Sequence, residues 1–320
     1  MKVSLIIPTF NRPHLLPRAV ESAQRAGREV EVIVVDDASS DDTASVCASL
    51  HDVKYLRVDR NQGVAGARNV GLLESSGDFI AFLDDDDMRL PGSLDYQVSL
   101  LMAQPDAGFI AGGVMLADQD CIPTDEVAIP RGTSGDLFWE VLELSVHLIP
   151  GSVVIRKECF FEVGLFNPRL AGIDDWDMWT RIAEVRPVLL DPEPVCIYRV
   201  ALPGSGQGSS ILGRQMHAAV KHQERLFSLP RVQTATSAQR RLVRQNTRRR
   251  VADTLSWRAA HELPRGAFLF AASNFSIALR LSPFWAARPT HLRVLWRSAS
   301  RQLLARSKNF LAPTPTPPVG

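Results

Sequence analysis

NQGVAGARNVGLLESSGDFIAFLDDDDMRLPGSL, residues 61–94, decides how this chain is read. A helical pattern opens near Val64, the apolar run 79–83 makes a short strand, and that strand ends in four consecutive aspartates, Asp84, Asp85, Asp86 and Asp87. Adjacent like charges at the end of a buried strand repel, and one close pair costs on the order of 1–4 kcal/mol at surface-like dielectric. A positive group is expected there. Carboxylate oxygens at this spacing suit a hard divalent cation, Mg²⁺ or Mn²⁺, which typically takes about one or two protein carboxylates and leaves its other positions to water and phosphate oxygens. The competing reading is a solvated acidic turn in which one Asp caps the helix starting at Pro91.

Working outward, the β-branched or apolar runs 2–8, 31–35, 53–58 and 79–83 alternate with helical patterns that begin near Pro13, Ser40, Val64 and Pro91. That alternation predicts an α/β fold, a mostly parallel sheet flanked by helices. Ser39 and Ser40 before Asp41-Asp42 read as a helix N-cap with acids in the first turn, and Gly27 as a helix end. In an open α/β sheet the ligand site lies beyond the carboxyl ends of the strands, so Asp36-Asp37 and the four aspartates are expected to line one crevice. No G-x-G-x-x-G or GxxxxGK[ST] occurs at a strand-to-helix turn, which removes the dinucleotide and P-loop phosphate cradles.

Further on, 108–115 reads as a strand, followed by a variable stretch to Arg131, a helical run 137–146 and a strand 151–156. GIDDWDMWTRIAEV at 172–185 has apolar residues at helical spacing from Trp176, which places Asp174 and Asp175 in the first turn of a helix. After Tyr198-Arg199 comes LPGSGQGSS, read as a flexible loop, and the end, APTPTPPVG at 312–320, is expected to be disordered.

The chain has 320 residues, 45% hydrophobic and 22% charged, an ordinary globular composition. Its net charge of +1 hides a division: residues 1–213 carry 17 Lys and Arg against 32 Asp and Glu, net −15, while 214–320 carry 19 against 3, net +16. We expect a catalytic domain over 1–213, a basic helical C-terminal region over 214–311 and the tail. Four cysteines without a CxxC pair indicate neither a zinc site nor a disulfide framework, and a reducing compartment is the simpler reading. The amino terminus reads as a buried strand rather than a signal peptide. The longest uncharged apolar-rich stretch, 266–279, has 14 residues, short of the roughly 20 a spanning helix needs.

SLIIPTFNR at 4–12, VIVVDDASSDDT at 32–43, the 61–94 stretch and DDWDMWTR at 174–181 occur in an order and spacing that resemble an inverting glycosyltransferase of family 2. The resemblance spans most of residues 1–200 and implies the GT-A type nucleotide-sugar fold. It implies that Pro8, Thr9, Asn11, Arg12, Asp37, Arg68, Asp84 and Asp85 bind the nucleotide sugar. Asp84 and Asp86 match the family's D-x-D pair, with Asp86 the metal ligand. Asp175 matches the general base, which takes the proton of an acceptor hydroxyl as its oxygen attacks the anomeric carbon, and Asp174 and Trp176 are expected at the acceptor. Trp179, one turn on, reads as core. Many relatives carry a His shortly after the Tyr-Arg pair, near the metal; this chain has none before His217.

The expected activity is transfer from a UDP or dTDP type sugar to a hydroxyl of a glycan or lipid-linked acceptor in cell-surface polysaccharide or lipopolysaccharide assembly. The alternative is a haloacid-dehalogenase-like phosphohydrolase, which also opens with a strand and D-x-D but has Thr or Val next, where this chain has Asp87-Met88. A response-regulator receiver would put its acidic pair after the first strand, and here a full strand and helix precede Asp36. The Arg-rich region lacks a nucleic-acid-binding motif, so no nucleic-acid partner is expected. Its mixture of Arg with apolar and aromatic residues suits either a hairpin packed on the catalytic domain or an interfacial element on an anionic membrane surface, with a cytoplasmic location on the inner face.

Overall fold

A computed structural model describes residues 1–146, 148–200, 212–263, 266–293 and 296–297. The chain forms two compact units, Met1–Ser210 with Gln223–Arg240, and Ile211–His222 with Arg241–Gly320.

The first unit begins with β1 (Val3–Thr9), α1 (Leu16–Arg25), β2 (Val30–Asp36), α2 (Thr43–Ser49), β3 (Val53–Arg57), α3 (Gly63–Leu73) and β4 (Phe79–Phe82). It continues with β5 (Met88–Arg89), α4 (Ser93–Ala103), β6 (Phe109–Ala117), β7 (Pro123–Ala128), α5 (Phe138–Leu142), β8 (Val153–Arg156), α6 (Cys159–Val163), α7 (Asp174–Val185) and β9 (Val188–Arg199). The strands form one mixed sheet in the order β3-β2-β1-β4-β8-β6-β9-β5, with β7 paired to β6. β3, β2, β1 and β4 are parallel, and β8 then runs antiparallel to both β4 and β6.

β1 is buried along its whole length because helices cover both faces. Side chains alternate between faces: Val3, Leu5 and Ile7 join Val32, Val34, Phe79 and Ala81 in a core closed by Leu16, Ala19 and Val20 of α1 and Leu94 and Val98 of α4. On the other face α3 lies so close that a Cβ on Gly71 would stand 2.4 Å from Ile6 Cγ2. That contact explains a glycine inside a helix, where it otherwise costs helix stability.

The first four strands and the helices between them lie close to where the sequence puts them. Two local expectations change. The Ser39 hydroxyl does not cap α2; it accepts the Asn11 N–H at 2.9 Å, and the Thr43 N–H is instead bonded by the Asp41 carboxylate at 3.0 Å. The helical run expected over 137–146 shortens to α5. β5, β7 and β9 were not expected. β9 runs through Pro192 and Pro194, and its register against β6 shifts on both sides of Gly113, where the prolines lack ladder donors.

In the second unit lie most of α8 (Leu212–Leu226) and of α10 (Ser237–Glu262), joined through α9 (Pro230–Thr234), followed by α11 (Phe268–Leu281) and α12 (Pro283–Ala286). Val251, Ala252, Leu255 and Ala259 of α10 are buried, as are Ala271 and Ala278 of α11. Arg249 and Arg288 stack on Trp285 at 4.7 and 3.9 Å. Among the described residues no helix is long and apolar enough to cross a membrane. The loop LPGSGQGSS and the tail 312–320 lie outside the described residues.

Candidate active site

The carboxyl edge of the parallel strands carries the acidic residues. Asp84, Asp86 and Asp87 each bring a carboxylate oxygen within 4.8 Å of the others, a hard, all-oxygen donor set that fits Mg²⁺ or Mn²⁺. Asp87 is buried, and that burial, with Asp84 and Asp86 beside it, holds its carboxyl well above the usual range. Asp85 is set apart: its oxygens accept the Thr9 hydroxyl at 2.8 Å and the Arg12 guanidinium at 3.0 Å. Burial raises the Asp85 carboxyl to about 6 although Arg12 pulls the other way. Asp85 thus ties the acidic loop to the end of β1.

Among the described residues, Arg12 and Arg199 converge on Asp86. Arg199 Nη2 lies 3.1 Å and Arg12 Nη1 3.4 Å from the same oxygen, Oδ2. The Arg199 backbone N–H donates to Asp87 at 2.9 Å, so the end of β9 closes over the loop. Sequence reading placed Arg12 at the site but gave Arg199 no role; its signal was the Tyr198-Arg199 pair at the domain's end. Cys121, also unforeseen, accepts from Arg18 at 2.7 Å and donates to the Asp86 carbonyl at 3.3 Å.

The second cluster opens α7. Asp174 is buried and receives Arg68 Nη1 at 2.8 Å, while Arg68 Nη2 reaches Asp84 at 3.0 Å. Arg68 itself is only 3% exposed and lies over Phe82 and Phe166 at 5.7 and 5.8 Å. One guanidinium therefore spans both acidic clusters. Asp175 is half-buried and accepts the Trp176 N–H at 2.7 Å. Burial and then Asp174 raise its carboxyl to about 6, against the pull of Arg68. A carboxylate so poised gains the basicity that proton abstraction near neutral pH needs. Trp176 stands differently from the acceptor platform expected of it: it is buried, and its indole N–H donates to the Val141 carbonyl of α5 at 2.8 Å. Trp179 is core, against Phe109.

At the end of β2, Asp36 is fully buried and accepts Ser39 N–H, Tyr55 OH and Arg57 at 2.8, 2.7 and 2.7 Å. Burial works to raise its carboxyl, but these partners outweigh it and hold it low. Asp37 accepts the Gln62 and Gly63 N–H groups at 2.7 and 2.8 Å and so caps α3; burial pushes its carboxyl up. Asn11, at positive φ, receives Ser40 N–H at 2.8 Å and pins the β1 loop to the β2 loop. Pro8 is buried within β1, paired with Val35. The Asp36-Asp37 pair and the four aspartates thus share one edge of the sheet, with Thr9 of β1 beside both.

Sheet order and the position of the acidic loops define a GT-A type domain. Residues 4–131 match the model of glycosyl transferase family 2, the family that the motifs resemble. A GalNAc(5)-diNAcBac-PP-undecaprenol beta-1,3-glucosyltransferase of Campylobacter jejuni is 45% identical over 114 residues, 34% of this chain and 36% of that protein. Another curated relative is matched over 32% of its length, so the chain spans about a third of these relatives. Among solved structures, the mannosyltransferase PcManGT of Pyrobaculum calidifontis with GDP-Man and Mn²⁺ superposes with a TM-score of 0.57 at 19% identity, over 97% of this chain and 82% of that one. S. aureus TarS 1–349 with UDP-GlcNAc gives 0.55 at 17%, over 88% and 91%. These two likenesses describe the fold.

Proposed function

We propose that the protein is an inverting glycosyltransferase that moves a sugar from a UDP or dTDP type donor to a hydroxyl of a glycan or lipid-linked acceptor, in cell-surface polysaccharide or lipopolysaccharide assembly. The observation that carries the reading is the meeting, at the carboxyl edge of one sheet, of the Asp84, Asp86 and Asp87 oxygens with the Asp174-Asp175 helix start, bridged by Arg68. The family match and the lipid-linked substrate named for the Campylobacter relative support the class and the acceptor. Nothing in the site favours the phosphohydrolase.

In this reading Asp86, with Asp84 and Asp87, would hold Mg²⁺ or Mn²⁺. When bound, that ion offsets the charge that develops on the departing diphosphate. Thr9, Asn11, Arg12, Asp37 and Asp85 shape the nucleotide side, Asp85 through its bonds to Thr9 and Arg12. Asp175 accepts the proton of the acceptor hydroxyl, whose oxygen forms the new bond to the anomeric carbon as the bond to the diphosphate breaks on the opposite face. Asp174 positions the base by anchoring Arg68. A location on the inner face of the membrane, held through the basic second unit, would bring the site to a lipid-linked acceptor.

A titration of UDP, dTDP and GDP sugars with Mg²⁺ or Mn²⁺ tests the reading. Binding of at least one donor that depends on the ion is expected, and Asp86→Ala should remove that dependence while the fold persists, since it deletes a ligand and relieves repulsion. Wild-type affinity in Asp86→Ala would take Asp86 out of the site.

A further inference from the structure

We propose that Arg12 and Arg199 are built-in counter-ions that compete with the divalent cation for Asp86 and pass to the donor's diphosphate once the cation is seated. The inference deepens the nucleotide-sugar reading and rests on it.

Among the described residues three guanidiniums touch the two acidic clusters, and they are not equivalent. Arg68 is buried and held from both sides by Asp84 and Asp174, which leaves it no second position. Arg12 and Arg199 meet at one atom, Asp86 Oδ2, and each has an anchor elsewhere. Arg12 holds Asp85 at 3.0 Å, and Arg199 reaches the Gln119 side-chain oxygen at 3.2 Å. Each can therefore release Asp86 without leaving the site. Their side chains are also the more exposed, 26% and 11% against 4% for Arg68.

Asp86 belongs to the same set of oxygens that fits a cation. A cation seated there would face two like charges, and for even one pair of unit charges about 4 Å apart that repulsion is worth from about fivefold in water to about a thousandfold at surface-like dielectric. The guanidiniums thus weaken the binding of the bare ion. A nucleoside diphosphate reverses their effect, because its oxygens accept charge-assisted hydrogen bonds that suit the planar guanidinium fork. Removing either arginine should therefore move two affinities in opposite directions. An arginine that served only to hold the loop in shape would, on removal, weaken both.

The experiment uses the full chain, with wild type, Arg12→Gln, Arg199→Gln and Arg199→Lys checked by circular dichroism. Mn²⁺ alone is titrated by the electron paramagnetic resonance signal of the free aqueous ion, and UDP, dTDP and GDP are titrated by calorimetry at saturating Mn²⁺. The Gln variants should bind Mn²⁺ alone at least about fivefold more tightly, and the preferred nucleoside diphosphate about tenfold more weakly. Arg199→Lys keeps the charge and should stay near wild type for Mn²⁺ alone, which tests the idea even if a Gln variant misfolds. Unchanged or weaker Mn²⁺ binding in the folded Gln variants overturns the proposal, while donor binding by wild type would leave the glycosyltransferase reading standing. If Mn²⁺ binds more tightly in the variants yet no nucleoside diphosphate binds wild type, the competition at Asp86 holds and the nucleotide-sugar reading falls.

Discussion

Asp174 and Asp175 are neighbours in sequence with opposite surroundings. Asp174 is buried against a guanidinium, whereas Asp175 is half-buried, accepts a backbone N–H and sits at about 6. A carboxyl raised in the folded state favours folding when protonated and burdens it when ionised, so Asp175→Asn should hold or raise the melting temperature at neutral pH. The same change should leave donor binding intact and lower transfer by at least about a hundredfold, since an amide keeps the shape but accepts no proton. Wild-type transfer should also fall as the pH drops below about 6, as the base becomes protonated. Asp174→Asn should instead lower the melting temperature by leaving Arg68 with Asp84 alone. Transfer at the wild-type rate in Asp175→Asn, or a greater kinetic loss in Asp174→Asn, would move the base by one residue. The sequence showed these two carboxylates and their helix, but not that Trp176 turns inward, because an aromatic at the first turn of an amphipathic helix fits either side.

Among the elements, the parallel strands were the most legible: β1, β2 and β4 are runs of buried apolar residues with turns after them. β7, PTDEVA, carries few apolar residues and is exposed, and β9 carries two prolines, so neither resembles an isolated strand. Both depend on pairing with β6, which no local pattern reveals. At the opposite edge of the sheet from the site, Glu31 of β2 accepts hydrogen bonds from Ser4, Ser76 and Lys2. Burial works to raise its carboxyl, but those bonds hold it at about 2, below the ordinary 4.5. A depressed carboxyl contributes stability that is present above its ordinary value and is lost as pH falls toward the folded-state value. Urea titrations should therefore show Glu31→Gln losing more stability at pH 7 than at pH 3. An equal loss at both would show that the ionised form is not what the bonds favour.

At the scale of the molecule, the acidic and basic halves of the charge map fall largely into the two units. In the second, Leu269 and Phe284 are 89% and 97% exposed, and Arg280 and Arg293 are exposed as well. Apolar side chains among arginines suit the interface of an anionic bilayer, with both burial and charge contributing. The protein should cosediment with phosphatidylglycerol vesicles at low salt and less so at high salt, and Leu269→Ser with Phe284→Ser should weaken it several-fold. Failure to bind anionic vesicles even at low salt would end the membrane reading.

The bridge made by Arg68 bears on how such an enzyme could change its substrates. A single guanidinium answers to Asp84 and to Asp174, in the proposed function the donor and the acceptor side, so neither carboxylate can be altered without changing the charge the other meets. Attempts to engineer a new sugar preference through Asp84 would therefore disturb acceptor use as well. Variation that leaves Arg68 and its two partners alone has the freer course.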